Sequence, residues 1–326
     1  MEVLMPAVAE EVGKRAGVDF KRILVATDFS QASRRALTEA LRIARKYHSD
    51  LTLVHAIAPP GSYSPIPLDP LPRELDRQLL QAEDAMSHLA QELEIGDVPH
   101  ESVVREGEVW DLLNSVIVRK DPQLLVLGTH GREGLKKLFL GSTAEQVVRS
   151  ADIPVLTVGP HVPGASPASD GFKNILFATD FGPASDQAFP YALALAQEYG
   201  AKLILLHVIP TVVVGTAAYA AGEFAASELA QWEFRMQEDS EEKLRKLVPR
   251  DAALAQAPEY VISRNFVPDG ILGMAETHNA DLIVMGVNPT SSPRLRSHFP
   301  WTMDFAVICQ ADCPVLTVKG ESQRME

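Results

Sequence analysis

The stretch with the clearest chemical potential is Gly128-Thr129-His130-Gly131, followed after nine residues by Gly141-Ser142-Thr143. Glycine is needed wherever backbone N–H groups must approach phosphate oxygens closely, and hydroxyls at a helix N-terminus add donors to the positive end of its dipole. Arg132, Lys136 and Lys137 lie in the intervening loop and would add positive charge. The same spacing also suits a glycine-containing strand-to-helix loop with no ligand, because Ser and Thr are ordinary helix caps. Spacing alone leaves both readings open. Asp28, which closes the apolar run from Ile23, and its counterpart Asp180 are candidates either for a ligand contact or for capping the helix that follows. His55 and His207, each alone on an apolar run, read as satisfied core residues. His130 sits inside the loop, but with neither a nucleophile nor a partner carboxylate it makes a weak catalytic claim.

Other catalytic signatures are missing from the sequence: no Walker lysine loop, no dinucleotide fingerprint, no Gly-x-Ser-x-Gly elbow and no metal-spaced His/Cys cluster. The two cysteines, Cys309 and Cys313, lack the second half of a zinc site and read as small buried hydrophobes in a reducing compartment. Thirty Lys+Arg against 43 Asp+Glu leave a net charge of −13. That field opposes nucleic acid and anionic membrane surfaces, which need a basic partner. No apolar run reaches the roughly 18 to 20 residues that span a bilayer, and Met1 to Phe20 has neither a basic nor an apolar segment of the secretory kind. These features predict a cytoplasmic protein with no nucleic-acid or membrane partner.

The elements that must position the loop occur twice. Ile23-Leu24-Val25-Ala26-Thr27-Asp28-Phe29 recurs as Ile175-Leu176-Phe177-Ala178-Thr179-Asp180-Phe181, an offset of 152. The glycines of Val126-Leu127-Gly128 and Val284-Met285-Gly286 are 158 apart, and Ala151-Asp152-Ile153-Pro154-Val155-Leu156-Thr157-Val158 matches Ala311-Asp312-Cys313-Pro314-Val315-Leu316-Thr317-Val318 at 160. A period near 150 is one domain per copy. The Pro/Gly/Ser-rich stretch 160–171 reads as a linker between copies at 20–159 and 172–319. In copy one, short β-branched runs near 23–27, 51–57, 101–105, 124–129 and 154–158 predict buried parallel strands. They alternate with helical stretches at Ser30–Tyr47, Arg73–Leu93, Val109–Val118 and Ser142–Arg149, with Ser30 as an N-cap. The fold class is therefore α/β, with two tandem doubly wound domains, each a five-stranded parallel sheet with helices on both faces. Ligands of such sheets bind at the carboxyl ends of the strands, where the winding reverses.

With these motifs the chain resembles the universal stress protein family, in a tandem arrangement from residue 20 to residue 319. The likeness rests on an Asp closing the first strand, a His closing the second, and the glycine pattern with nine residues before Gly-Ser/Thr, which marks the family's ATP-binding branch. It implies Rossmann-like domains of the adenine nucleotide alpha hydrolase type. It also implies that Ala26 and Asp28 flank the adenosine, that Ala56 touches the adenine, and that Leu127 and Gly128 continue that wall. Gly131, Gly141, Ser142 and Thr143 would hold the phosphates of ATP, with Mg²⁺ carried mainly by phosphates and water. The resemblance further implies pairing across the last strands, Val155–Val158 with Val315–Val318, and leaves room for a homodimer.

Copy two departs from the pattern: Pro289 stands where Gly131 stands, and Trp301-Thr302-Met303 face Gly141-Ser142-Thr143. Proline removes a donor and tryptophan brings bulk, so copy two is expected not to bind nucleotide. Two long connections, the proline-rich Pro59–Pro72 and Thr211–Ala226, read as surface excursions. The expected function is ATP-dependent stress response or signalling, with copy two as a pseudo-symmetric partner. The alternatives are a slow ATP hydrolase and a nucleotide-free interaction module. The missing catalytic signatures point away from an enzyme, slow hydrolysis being the most these residues would support.

Overall fold

Alternating apolar runs and amphipathic stretches fold as Rossmann-like parallel α/β structure. The structure, a computed structural model, describes residues 18–57, 72–129, 141–164, 171–210, 226–288 and 303–320. Copy one runs β1 (Arg22–Ala26), α1 (Gln31–Tyr47), β2 (Asp50–Ile57), α2 (Pro72–Glu92), β3 (His100–Glu106), α3 (Val109–Lys120), β4 (Leu124–Gly128), α4 (Ser142–Ser150) and β5 (Val155–Val158). Copy two repeats the order as β6 (Asn174–Ala178), α5 (Pro183–Tyr199), β7 (Lys202–Pro210), α6 (Ala226–Leu247), β8 (Glu259–Asn265), α7 (Val267–Thr277), β9 (Leu282–Val287), α8 (Met303–Gln310) and β10 (Val315–Lys319). Helix α1 shows why these elements form. Ala32, Ala36, Ala40, Ile43 and Ala44 recur at helical spacing and are all buried, Ser30 caps the start, and His48 in the left-handed region ends it.

The described residues divide into two compact units, one built on Phe172–Gly286, the other on Asp19–Gly171 together with the chain from Val287 onward. In the second of these the strand order is β3-β2-β1-β4-β5-β10. The copy-one strands are mutually parallel, and β10 runs antiparallel to β5. Leu24, Val25, Leu125 and Val126 at its centre are fully buried, as strands covered on both faces must be. In the other unit β9-β6-β7-β8 are all parallel.

The cut after Gly286 differs from the repeat boundary because β10 fills the edge that β5 would otherwise expose. Their ladder is centred on Leu156 opposite Leu316, and the Thr157 hydroxyl donates to the Val315 carbonyl (3.1 Å) while that of Thr317 donates to Val155 (3.2 Å). Leu156 and Leu316 are equivalent residues of the repeat, so the contact has the self-complementary form of a two-fold interface.

Both cysteines are buried. Burial first, and then the charge of Glu145, push the Cys309 thiol up to about 11, which keeps it protonated and inert at neutral pH. Among the described residues no helix is long and apolar enough to cross a membrane.

Candidate functional site

The winding of the copy-one sheet reverses between β1 and β4, and the sequence-predicted residues lie at that end of the strands. After β1 the chain makes a turn held by local side-chain bonds and by bonds to β2, where the Thr27 N–H donates to the Val54 carbonyl (2.9 Å). The Thr27 hydroxyl accepts the backbone N–H of Phe29 (3.1 Å), and Asp28 Oδ1 accepts that of Ser30 (3.0 Å). Ser30 in turn caps α1 by accepting the N–H of Ser33 (3.2 Å). The turn holds Phe29 at φ 63°, a conformation uncommon for a bulky residue. Its ring lies 4.5 Å from that of His55, whose Nδ1 donates to the Thr27 carbonyl (2.8 Å). Asp28 is therefore a turn-forming carboxylate, one step removed from the helix cap supplied by Ser30. Burial would raise its pKa, but the bonds from the Ser30 hydroxyl and backbone and from the Ser33 hydroxyl outweigh burial and hold it below the ordinary value.

Copy two repeats this turn. Thr179 accepts Phe181 N–H (2.9 Å), Asp180 accepts Gly182 N–H (2.8 Å) and the Ser185 hydroxyl (2.7 Å), and Phe181 sits at φ 59° against His207. Burial lowers the His207 pKa, opposed by the Thr179 carbonyl and the charge of Asp180. The recurrence in a copy that lacks the glycine pattern shows that Thr-Asp-Phe and the histidine have an architectural role, whatever else Asp28 does. Thr27 and Ser33 are the functional neighbours that motif reading passed over, although the repeated Thr-Asp-Phe triplet marked the place.

A depressed carboxylate stabilises the fold above its unfolded-state pKa and loses that contribution as pH falls through the folded value. Asp28→Asn keeps an oxygen for the Ser30 N–H and loses only the charge, so it is expected to cost about 1 kcal/mol at pH 7, the difference between a charged and a neutral acceptor. The gap from wild type should narrow as pH falls below the unfolded-state carboxylate value, ~3.9, and through the lower folded one, where the wild-type carboxylate takes up its proton. Urea denaturation at several pH values measures it, and a gap that stayed constant would remove the ionised carboxylate from the account.

Ala56 is half-buried near the end of β2, Leu127 is buried at the end of β4, and Gly128 closes that strand. Gly128 is required by packing: a Cβ there would stand 2.7 Å from the Ala32 carbonyl carbon and 2.9 Å from Ser33 N, both in the first turn of α1. Gly286 meets the same constraint under α5, its Cβ falling 2.2 Å from Ala184 C. Beyond Gly128, the N–H of Gly141 donates to the Thr129 carbonyl (2.9 Å) and so ties the start of α4 to the end of β4. Gly141 is the N-cap, with no side-chain cap bond, and Ser142 and Thr143 are the first helical residues. The early N–H groups of such a helix have no intrahelical partner and favour an anion. Gly131, His130, Arg132, Lys136 and Lys137 lie outside the described residues, as do Pro289, Trp301 and Thr302. Among the described residues no three His, Cys, Asp or Glu groups converge on a metal position.

Ala26, Asp28, Leu127, Gly128 and Gly141–Thr143 thus come from adjoining strand ends and one helix start, with Ala56 on the next strand. The chain is similar to a universal stress protein of Thermus aquaticus, 32% identical over 140 residues that cover 43% of this chain and 98% of that protein. One from Methanocaldococcus jannaschii is 27% identical over 145 residues, 43% of this chain and 82% of that protein. Over its length the fold resembles the crystal structure of a universal stress protein from Archaeoglobus fulgidus, with a TM-score of 0.64 at 20% identity, covering 95% of this chain and all of that one. The family's sequence profile matches twice, over residues 19–159 and 171–319, and the chain belongs to the universal stress protein family as a tandem member.

Proposed function

We propose that the chain binds ATP through copy one, at the crevice between the carboxyl ends of β1 and β4, and that it acts in stress response or signalling in the cytoplasm. The observation that carries this reading is the bond from Gly141 N–H to the Thr129 carbonyl, which sets the uncapped start of α4 beside the strand ends bearing Asp28 and Gly128. The fit supports a nucleotide: Gly141 brings no side chain to the start of α4, where a Cβ would already lie 3.2 Å from the Thr129 carbonyl, and the residues near the ends of β1 and β2, Ala26 and Ala56, are small. Asp28 and the wall of Ala26, Ala56, Leu127 and Gly128 would hold the adenosine, and Gly131, Gly141, Ser142 and Thr143 the phosphates. Mg²⁺ would enter with the phosphates and keep mostly water ligands. Copies 20–159 and 172–319 act as pseudo-symmetric halves joined through their last strands, a reading supported by the β5–β10 ladder.

The test is to denature the purified chain and separate released adenine nucleotide by chromatography, alongside calorimetric titration of nucleotide-free protein with MgATP. Released nucleotide, or saturable binding near one equivalent per chain, is the expected result. If neither appears, the nucleotide reading fails and an interaction module remains.

A further inference from the structure

At the end of the copy-one sheet opposite the crevice between β1 and β4, a cleft of about 280 Å³ opens beside the last turn of α3. It is bounded by the first residues of β1, β2 and β3, and Leu24, Val116, Pro99 and Pro122 give it apolar walls. That size suits a small ligand, since pockets for drug-sized molecules begin at about 300 Å³. Its charged groups are unevenly used. Arg22 and Asp50 open adjacent strands as register partners, on backbones about 4.8 Å apart and so within reach of an ion pair. The guanidinium instead turns to the end of α3, where Nε donates to the Lys120 carbonyl (2.9 Å) and Nη2 to the Asp121 carbonyl and carboxylate (both 2.7 Å). Nη1 is left over, and Asp50 has neither a side-chain hydrogen bond nor an ion pair among the described residues. Lys120 donates to both oxygens of Glu101, at 2.8 and 2.9 Å, and keeps a third N–H. Thr52 donates its proton to Glu101 (3.0 Å), so its oxygen can accept. His100 Nδ1 lies 2.9 Å from the Val98 carbonyl, and as the donor there it leaves Nε2 with a lone pair. The unused capacity thus forms two sets, N–H donors on Arg22 and Lys120 and acceptors on Asp50, Thr52 and His100.

In copy two the same positions satisfy one another. At the offset of 152, Arg22 and Asp50 become Asn174 and Lys202, and at 158, Glu101 and Lys120 become Glu259 and His278. Lys202 bonds Glu259 Oε2 at 2.6 Å, His278 Nε2 lies 3.2 Å from Oε1, and the Asn174 amide donates to the Asn279 carbonyl (3.1 Å). The lone carboxylate of copy one is there replaced by a cation with an acceptor of its own.

We propose that the copy-one cleft binds a free α-amino acid with an apolar side chain. Its carboxylate would lie on Arg22 and Lys120, its ammonium on Asp50 and Thr52, and its side chain against Leu24 and Val116. A zwitterion answers both sets at once. A simple anion would sit against the Asp50 carboxylate, and a simple cation against the two basic groups, whereas opposite charges on one carbon avoid each repulsion.

Calorimetric titration of the full chain with leucine, isocaproate and isoamylamine tests this, because each of the last two lacks one of leucine's charges. Leucine is expected to bind saturably, at one equivalent per chain, and each analogue at least about tenfold more weakly, the scale of one lost charge-assisted bond. Asp50→Asn should weaken leucine by a similar factor, and Asp50→Lys, which installs the residue of copy two, should abolish binding. Asp50 is exposed, so both variants should keep the wild-type unfolding midpoint, measured alongside. The proposal is overturned by a lack of saturable leucine binding at millimolar concentration, by equal affinity for leucine and either analogue, or by undiminished affinity in a folded Asp50→Asn chain. It stands apart from the nucleotide reading, because the cleft lies at the amino ends of the strands, and MgATP titration should not distinguish Asp50→Lys from wild type.

Discussion

Gly128→Val is expected to destabilise the full chain by about 3 kcal/mol, the upper part of the range for overpacking a closed site. The glycine Cα sits so close to the first turn of α1 that a Cβ would lie 2.7 Å from the backbone of Ala32 and 2.9 Å from that of Ser33. Backbone atoms of a capped helix cannot rotate away as a side-chain tip would, so relief requires α1 to slide off β4. That movement would uncover Ala36 and Leu37, which are fully buried. Gly96→Ala is the matched control, since nothing lies within 4 Å of a Cβ there, and its effect should stay within about 0.5 kcal/mol. Urea midpoints followed by tryptophan fluorescence decide between them. Equal midpoints for wild type and Gly128→Val would mean that the close approach is not a constraint.

Gly141→Trp is expected to weaken MgATP binding at least about 100-fold, which corresponds to about 2.7 kcal/mol, while leaving the chain folded. Gly141 is the N-cap of α4 and its N–H is already committed to Thr129, so phosphates would have to approach the N–H groups just beyond it, past whatever side chain stands at 141. A Cβ at 141 would be only moderately tight, 3.2 Å from one carbonyl oxygen, and the position is half-exposed. The cost to stability should therefore be small, and an unfolding midpoint measured beside the titration separates lost binding from lost fold. The substitution also copies what the repeat offset of 160 sets opposite Gly141 in copy two, Trp301. Undiminished affinity in a folded Gly141→Trp chain would move the phosphates away from α4.

Much of this was legible in the linear sequence because it is local or repetitive. Helix α1 could be read from its alanine spacing and Ser30, and it runs from Gln31 to Tyr47 with that cap in place. Predicted and observed strand limits differ by a residue or so, as for β5, expected from 154 and found from Val155, since strand ends depend on neighbours rather than on residue type. The site residues were harder to read. Asp28 carries two roles in one motif, and only the bonds to Ser30 set beside the same turn around Asp180 separate the architectural one. Gly128 looked like part of a ligand wall, yet the first turn of α1 already demands a glycine there.

By itself, then, the sequence determined the duplication, the α/β class, the family and which copy carries the glycine pattern, all of which are written in short-range spacing or in repeated words. Tertiary structure alone decided which glycine is held by helix packing, that the expected pairing of the last strands is antiparallel with Leu316 opposite Leu156, and that His278 faces Glu259 where copy one has Lys120 facing Glu101. Those are contacts between residues far apart along the chain. Local periodicity carries no information about such pairings, because they are selected by which edges and charges remain uncovered once the elements have formed.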